Sequence, residues 1–445
     1  MNLAQYIPFY KRNLRLAFPV VLSQIGQVVV MLADNMMVGH VGTVELAASS
    51  FANNVFVIGM FFGMGITYGL TPLVGKAFGN NRLDRVVVWL KNGFFTHTVA
   101  TFVLALIMFG VYFLLPFMGQ TDDVLEMSKP YYLLLCLSYF PLMLFFSVKQ
   151  FFEGIGNTKM AMQITLTANV INIVLNYLLV FGKFGFPELG LVGAGIGTLV
   201  SRIFMPLLFV GYILKFSRFR RFFMLARKQI YEKRKIFSVL KIGIPIGFQL
   251  IVEVLTFSLG AVMMGWLGET QLAAHQVAMG MASFTYMISQ GVSQANTIRV
   301  SHQMGENNLS SMRMAAMAST HLVLFFMSVM GLIFILTKNY LPFLFTTDPQ
   351  VVAVASQLLI VAAIFQIFDG LQVIMLSTLR GMADVKVPMF IAFAAYLLIG
   401  LPTSYVLTFL LNAGPQGIWF GFLVGLGSAG ISFYFRFKHN LRKMA

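Results

Sequence analysis

The sequence predicts an all-α polytopic membrane protein, with twelve transmembrane helices in two six-helix lobes related by a parallel repeat. Three observations carry this expectation. The 445-residue chain is 58% hydrophobic and only 10% charged, with a mean hydropathy of +0.82, outside the range of soluble globular chains. Breaks rich in charge, Gly, Pro and Asn cut it into twelve apolar stretches of about 20 residues, the length that crosses a bilayer. Residues 15–83 also align without a gap on residues 241–309, at a constant offset of 226. Short stretches of alternating polarity, the mark of a membrane barrel, are absent from the sequence.

In chain order, the expected N-lobe (1–214) holds spans near 14–39, 49–73, 92–116, 130–152, 161–182 and 192–214. The apolar run of the first span is too long for a signal-peptide core and has no clear small-residue cleavage site, so this helix is expected to stay in the mature protein. Residues 215–241 follow as the one long hydrophilic segment, with ten Lys or Arg and a single acid, Glu232. That composition reads as a basic cytoplasmic linker held at anionic headgroups. The expected C-lobe (242–445) holds spans near 242–266, 276–299, 314–338, 351–379, 387–411 and 417–435.

The duplication pairs Pro19 with Pro245, Gly39 with Gly265, Gly42 with Gly268, Leu46 with Leu272, Gly79 with Gly305 and Asn81 with Asn307. Further on, Gly154 to Lys159 (GIGNTK) faces Gly381 to Lys386 (GMADVK) at an offset of 227. Six spans per repeat is an even number, so both halves take the same orientation. Parallel repeats pack as two lobes about an axis along the membrane normal, with a substrate site at the repeat interface and transport by rocking.

The net charge of +16 invites a nucleic-acid reading, but the basic residues sort by membrane side instead. With both termini in the cytoplasm, all but four of the 31 Lys and Arg fall on the cytoplasmic side. The exceptions are Lys129, Lys183 and Lys338 in outer loops and Arg202 within the sixth span. This is the positive-inside bias of a multi-pass inner (plasma) membrane protein, and it removes nucleic acid as a partner. The single cysteine, Cys136, excludes an intramolecular disulfide.

Against this apolar background, Asp34, Glu253 and Asp369 stand within spans. A charged side chain near the bilayer centre costs about 3 kcal/mol on insertion scales, so such residues are retained for ions, protons or substrate. At about 1.5 Å per residue, Glu253, twelve residues beyond Lys241, and Asp369, eleven before Arg380, lie at similar depth near the midplane. Asp34 is 19 residues beyond Arg15, in the outer half of its span and in the other lobe. In the repeat alignment Asp34 faces Gly260, Glu253 faces Gln27 and Asp369 faces Leu142, so none of the three is a relic of the duplication. Two carboxylates at one level repel unless a proton or cation sits between them, the coupling an ion-driven transporter needs.

Supporting polar residues follow helical spacing. Asn169, Asn172 and Asn176 share a face of the fifth span, able to bond Asp34, coordinate a cation or join helices. Gln249 lies one turn before Glu253, Gln366 and Gln372 flank Asp369, and Tyr286, Gln290 and Gln294 share a face of the eighth span. Arg202 must pair with a carboxylate or reach the headgroups. The six histidines show no metal-ligand spacing, and His275, at the start of the eighth span, is the one candidate to test.

Several strings, in order along essentially the whole chain, resemble the multidrug and toxic compound extrusion (MATE) transporters, particularly the bacterial NorM-like branch. They are MLADNMMVGHVG around Asp34, VGKAFGNN, EGIGNTK, FGKFGFPELGLVGAG, LAAHQVA and IFDGLQVI around Asp369. The resemblance implies export of cationic amphiphilic compounds by antiport with Na⁺ or H⁺, without an organic cofactor. It assigns ion coupling to Asp34 in the N-lobe and to Glu253 and Asp369 in the C-lobe, with Asn172 and Asn176 as N-lobe amides. One departure stands out: where some relatives carry a Tyr beside the ion, this chain has Phe365.

The resulting expectation is a non-enzymatic exporter of small organic cations, embedded in lipid and acting as a monomer. The alternative within the same superfamily is a flippase of lipid-linked saccharides, which would want a cationic cavity, and only Arg202 speaks for it. A membrane-embedded transferase would need catalytic acids or histidines clustered in loops or at helix ends, whereas the distinctive acids here are mid-helix.

Overall fold

The computed structural model describes Leu3–Met444, and no strand occurs among these residues. In the first half, α1 (Ile7–Val41) leads to α2 (Thr43–Tyr68) and α3 (Leu70–Gly79), which together make one long span. They are followed by α4 (Leu83–Tyr112), α5 (Asp122–Gly154), α6 (Thr158–Val180) and α7 (Gly190–Lys215). The linker forms a short helix, α8 (Ser217–Arg227). Its phenylalanines pack on α5, with Phe219 and Phe223 against Phe152 and Phe222 against Phe151. Arg218, Arg220 and Arg221 remain exposed.

The second half runs through α9 (Lys233–Leu267), α10 (Glu269–Gly305), α11 (Leu309–Thr337) and α12 (Pro349–Gly381). The next span, Lys386–Leu410, is broken into α13 (Lys386–Phe393), a π-helical turn at Ala394–Gly400, α14 (Leu401–Tyr405) and a second π turn, before α15 (Pro415–Met444). Eleven of these helices are long and apolar enough to cross a membrane. The twelfth expected span is α10, whose 37 residues are ample in length but carry too many Ser, Thr, Gln, Asn and His side chains to stand out by hydropathy.

The chain packs into two compact units, each with its own core. One is Leu22–Gly247; the other joins Met1–Val21 to Phe248–Ala445. Compaction therefore divides the chain inside α1 and α9, just past Pro19 and Pro245, and not at the linker as the repeat boundaries suggest. The opening of α1 is bound into the second unit, where the Asn13 amide donates to the Ala315 carbonyl (3.0 Å) and the Ser319 hydroxyl (2.7 Å). Tyr10 bonds His321 there at 2.9 Å, and Ala17 joins the same core.

The duplication is visible in close backbone contacts. In the first unit, Gly65 of α2 abuts the backbone of Gly247 in α9. In the second, Gly291 of α10 abuts the backbone of Val21 in α1. Each residue of the second pair lies 226 positions from its counterpart in the first. Turns are preserved as well: Asn81 and Asn307 take φ of 53° and 54°, and Gly156 and Ala383 take 82° and 59°.

Candidate functional site

In the first unit the polar face of α6 meets α1 and α7. The Asn176 amide donates to Asp34 Oδ1 at 2.6 Å and contacts Asn172 Oδ1 at 3.4 Å. Asn172 in turn donates to Thr198 and Ser201 of α7 at 3.5 and 3.4 Å. Asn172 and Asn176 are buried, whereas Asp34 keeps partial exposure. The α7 backbone reaches Asn176 because Gly197 stands opposite, where a Cβ would strike the amide oxygen.

Asn169, expected on the same face, does not join Asp34. Its amide nitrogen packs against Gly26 and has no hydrogen-bond partner. Arg202 forms no ion pair within 4 Å among the described residues. Its guanidinium donates to Ser138 Oγ at 2.7 Å and lies over the Phe56 ring at 5.2 Å, leaving only a longer-range interaction with Asp34. An arginine in a span is thus accommodated by a hydroxyl and an aromatic face.

In the second unit Glu253 of α9 accepts a hydrogen bond of 3.0 Å from the Tyr286 phenol of α10. Gln290, one turn along α10, donates to the same phenol at 2.8 Å. Gln366 of α12 accepts from Thr285 at 3.0 Å, tying the next α10 residue to the helix that bears Asp369. Asp369 is 4% exposed, and its charge and that of Glu253 act on one another. The amide nitrogen of Gln366 has no hydrogen-bond partner. The amide groups of the neighbouring Gln372 also lack partners, as does the Gln294 carbonyl oxygen.

Gln249 is turned toward a different partner. It accepts from Arg380 at 3.0 Å, and Arg380, used above as a cytoplasmic depth marker, is buried at 8% exposure. Its charge acts on Glu253. Sequence reasoning missed this residue because a basic side chain at a span end ordinarily snorkels to the headgroups. A second omission is Tyr396 in the π turn, whose hydroxyl is buried beside Glu253; only a tyrosine mid-span in an apolar run hinted at it.

Phe365 packs edge-on against Trp419 (5.3 Å) and faces Phe257 (6.4 Å), which makes it part of an aromatic cluster. His275 accepts from the Trp419 indole at 3.2 Å, a structural hydrogen bond. Among the described residues no group of three or more His, Cys, Asp or Glu could hold a metal ion.

The family model MatE matches residues 19–178 and 245–406, more than half of the chain and one copy in each repeat. The chain belongs to the MatE family. Relatives of this MatE chain include the "Probable multidrug resistance protein NorM" of Rhizobium meliloti (strain 1021), 32% identical over 98% of this chain and 94% of that protein. The "Multidrug resistance protein MdtK" of Yersinia pseudotuberculosis serotype O:1b (strain IP 31758) is 31% identical over 98% and 96%. Among solved structures, the eukaryotic MATE transporter AtDTX14 superposes with a TM-score of 0.86 across 99% of this chain and 98% of its own, at 22% identity. That likeness establishes a shared fold, and with the family match it places this MatE chain among multi-pass membrane transporters.

Proposed function

We propose that this MatE-family chain is a multidrug efflux transporter, exporting cationic amphiphilic compounds by antiport with Na⁺ or H⁺ through alternating access of its two lobes. The carrying observation is the Glu253 and Asp369 pair: two carboxylates buried within membrane-spanning helices whose charges act on one another, with Glu253 bonded by the Tyr286 phenol. Such a pair holds one exchangeable positive charge favourably. A proton or Na⁺ taken up there lowers the negative charge available to an organic cation and drives its release; discharge of the ion restores it.

Asp34, with Asn176 and Asn172, forms the second acidic position, and its partial exposure suits contact with substrate. Tyr286, Gln290, Gln249 and Gln366 act as supports of the C-lobe acids. In the flippase reading the cationic cavity would rest on Arg202, but this side chain is committed to Ser138 and Phe56.

Purified protein in proteoliposomes, loaded with a fluorescent organic cation and driven in turn by a Na⁺ gradient and a pH gradient, tests the proposal. Glu253→Gln, Asp369→Asn and Asp34→Asn should each abolish driven efflux while the protein inserts normally. Wild-type efflux in all three variants would overturn it.

A further inference from the structure

Near the end of α10 stands an arginine with no part in the acid pair. Arg299 is 9% exposed, and two of its nitrogens, Nε and Nη2, are buried with no hydrogen-bond partner. A buried guanidinium without acceptors or a counter-charge is strongly unfavourable, so a partner normally accompanies it. The helix itself supplies none. Arg299 lies more than one turn before the last residue, Gly305, and the terminal carbonyls of His302, Gln303 and Met304 already accept from the backbone of Glu306, Asn308 and Asn307. The Glu306 charge acts on Arg299, but that carboxylate is exposed and forms no ion pair with it among the described residues. The arginine is no relic of the duplication either, since Leu73 stands 226 positions earlier.

A second cation is close by. The charge of Arg12, exposed near the start of α1, also acts on Arg299. Both residues belong to the second unit, and the neighbouring Asn13 amide fixes this part of α1 to α11. Two like charges held within reach of each other, one of them buried, are stabilised by an anion between them.

Depth identifies that anion. Val300 packs on Gly381, the last residue of α12, so Arg299 lies where spans end and headgroups begin. Exposed Lys11, Arg12 and Arg15 are interleaved on α1 with exposed Leu14 and Phe18, a surface that meets phosphate and acyl chain together. Basic pockets between spans take anionic headgroups. Nε and Nη2 form one edge of the guanidinium, the fork that holds two phosphate oxygens at once.

We propose that Arg299 and Arg12 bind the phosphodiester of an anionic phospholipid, seated between the start of α1 and the end of α10. Arg299 donates from its Nε and Nη2 edge, and Arg12 adds charge from the exposed rim. The site does not depend on ion coupling or on the identity of the exported compound.

Purified full-length transporter in an uncharged detergent, titrated with phosphatidylglycerol, phosphatidylcholine or inorganic phosphate, tests this by melting temperature and by native mass spectrometry of bound lipid. Wild type should retain phosphatidylglycerol and melt higher with it, and should respond to neither phosphatidylcholine nor inorganic phosphate at equal concentration. Arg299→Leu, which installs the residue of the other repeat, should weaken phosphatidylglycerol binding about tenfold and lose most of the stabilisation. Arg12→Gln, at an exposed position that leaves the core intact, should weaken it several-fold, while Arg218→Gln on α8 should leave it unchanged. Wild-type phosphatidylglycerol affinity in both Arg299→Leu and Arg12→Gln would overturn the site. An equal response to phosphatidylcholine would overturn it in favour of lipid in general, an equal response to inorganic phosphate in favour of a soluble anion, and an equal loss in Arg218→Gln in favour of net charge alone.

Discussion

The Tyr286 phenol bonds Glu253 at 3.0 Å from the helix least recognisable as a membrane span. Thr285, Tyr286 and Gln290 of that helix, α10, engage the C-lobe polar cluster, and its Ser293, Asn296 and Thr297 bond α12 further along.

Asn176→Ala removes the 2.6 Å donor to Asp34. A hydrogen bond to a charged group is worth about 1.5–3 kcal/mol, so driven efflux should fall at least tenfold in the proteoliposome assay. Asn169→Ala, at a residue with no bond to Asp34, should leave efflux within about twofold of wild type, the direct comparison of the two amides on one helix face.

Arg380→Gln deletes a buried cation bonded to Gln249 and felt by Glu253. Removing one member of a buried charged network typically costs about 3–5 kcal/mol, which a lower melting temperature in detergent would report. Arg380→Lys keeps the charge but loses the planar fork, and should fall between.

Ala383 takes a φ of 59°, while its repeat counterpart Gly156 takes 82°. Ala383→Gly should therefore stabilise the protein by roughly 1 kcal/mol, the cost of a left-handed L-residue, and Gly156→Ala should destabilise it by a similar amount. Thermal denaturation of the pair gives opposite shifts if the turns are equivalent.

Asp384, next along, accepts bonds of 2.7 Å from both Arg436 and Asn440 of α15. Asp384→Ala breaks both, and a loss of about 1–3 kcal/mol in stability is expected, with efflux per folded molecule unchanged. A drop in specific efflux at wild-type stability would contradict this purely structural assignment.

The sequence by itself determined the membrane class, the duplication and the acids. These depend on local composition and spacing: apolar runs must cross lipid, a mid-span carboxylate is conspicuous because it is costly, and an offset of 226 is read by alignment alone. Helical spacing also grouped Asn172 with Asn176 and Tyr286 with Gln290, since residues three or four apart share a face.

Only the tertiary structure decided which face meets which partner. Asn169 obeys the same spacing as Asn176 yet packs on Gly26, because two turns along α6 set it against a glycine of α1 and not against Asp34. Arg202 was expected to pair with a carboxylate or reach the headgroups, and Arg380 to lie on the cytoplasmic side, but a hydroxyl and an aromatic ring meet the first and a glutamine the second. Glu253, Tyr396 and Phe422, far apart in the chain, come to line one small pocket where Gly400 and Gly425 bring two helix backbones together. Contacts between distant segments depend on how helices cross, and a single sequence carries no direct record of that crossing.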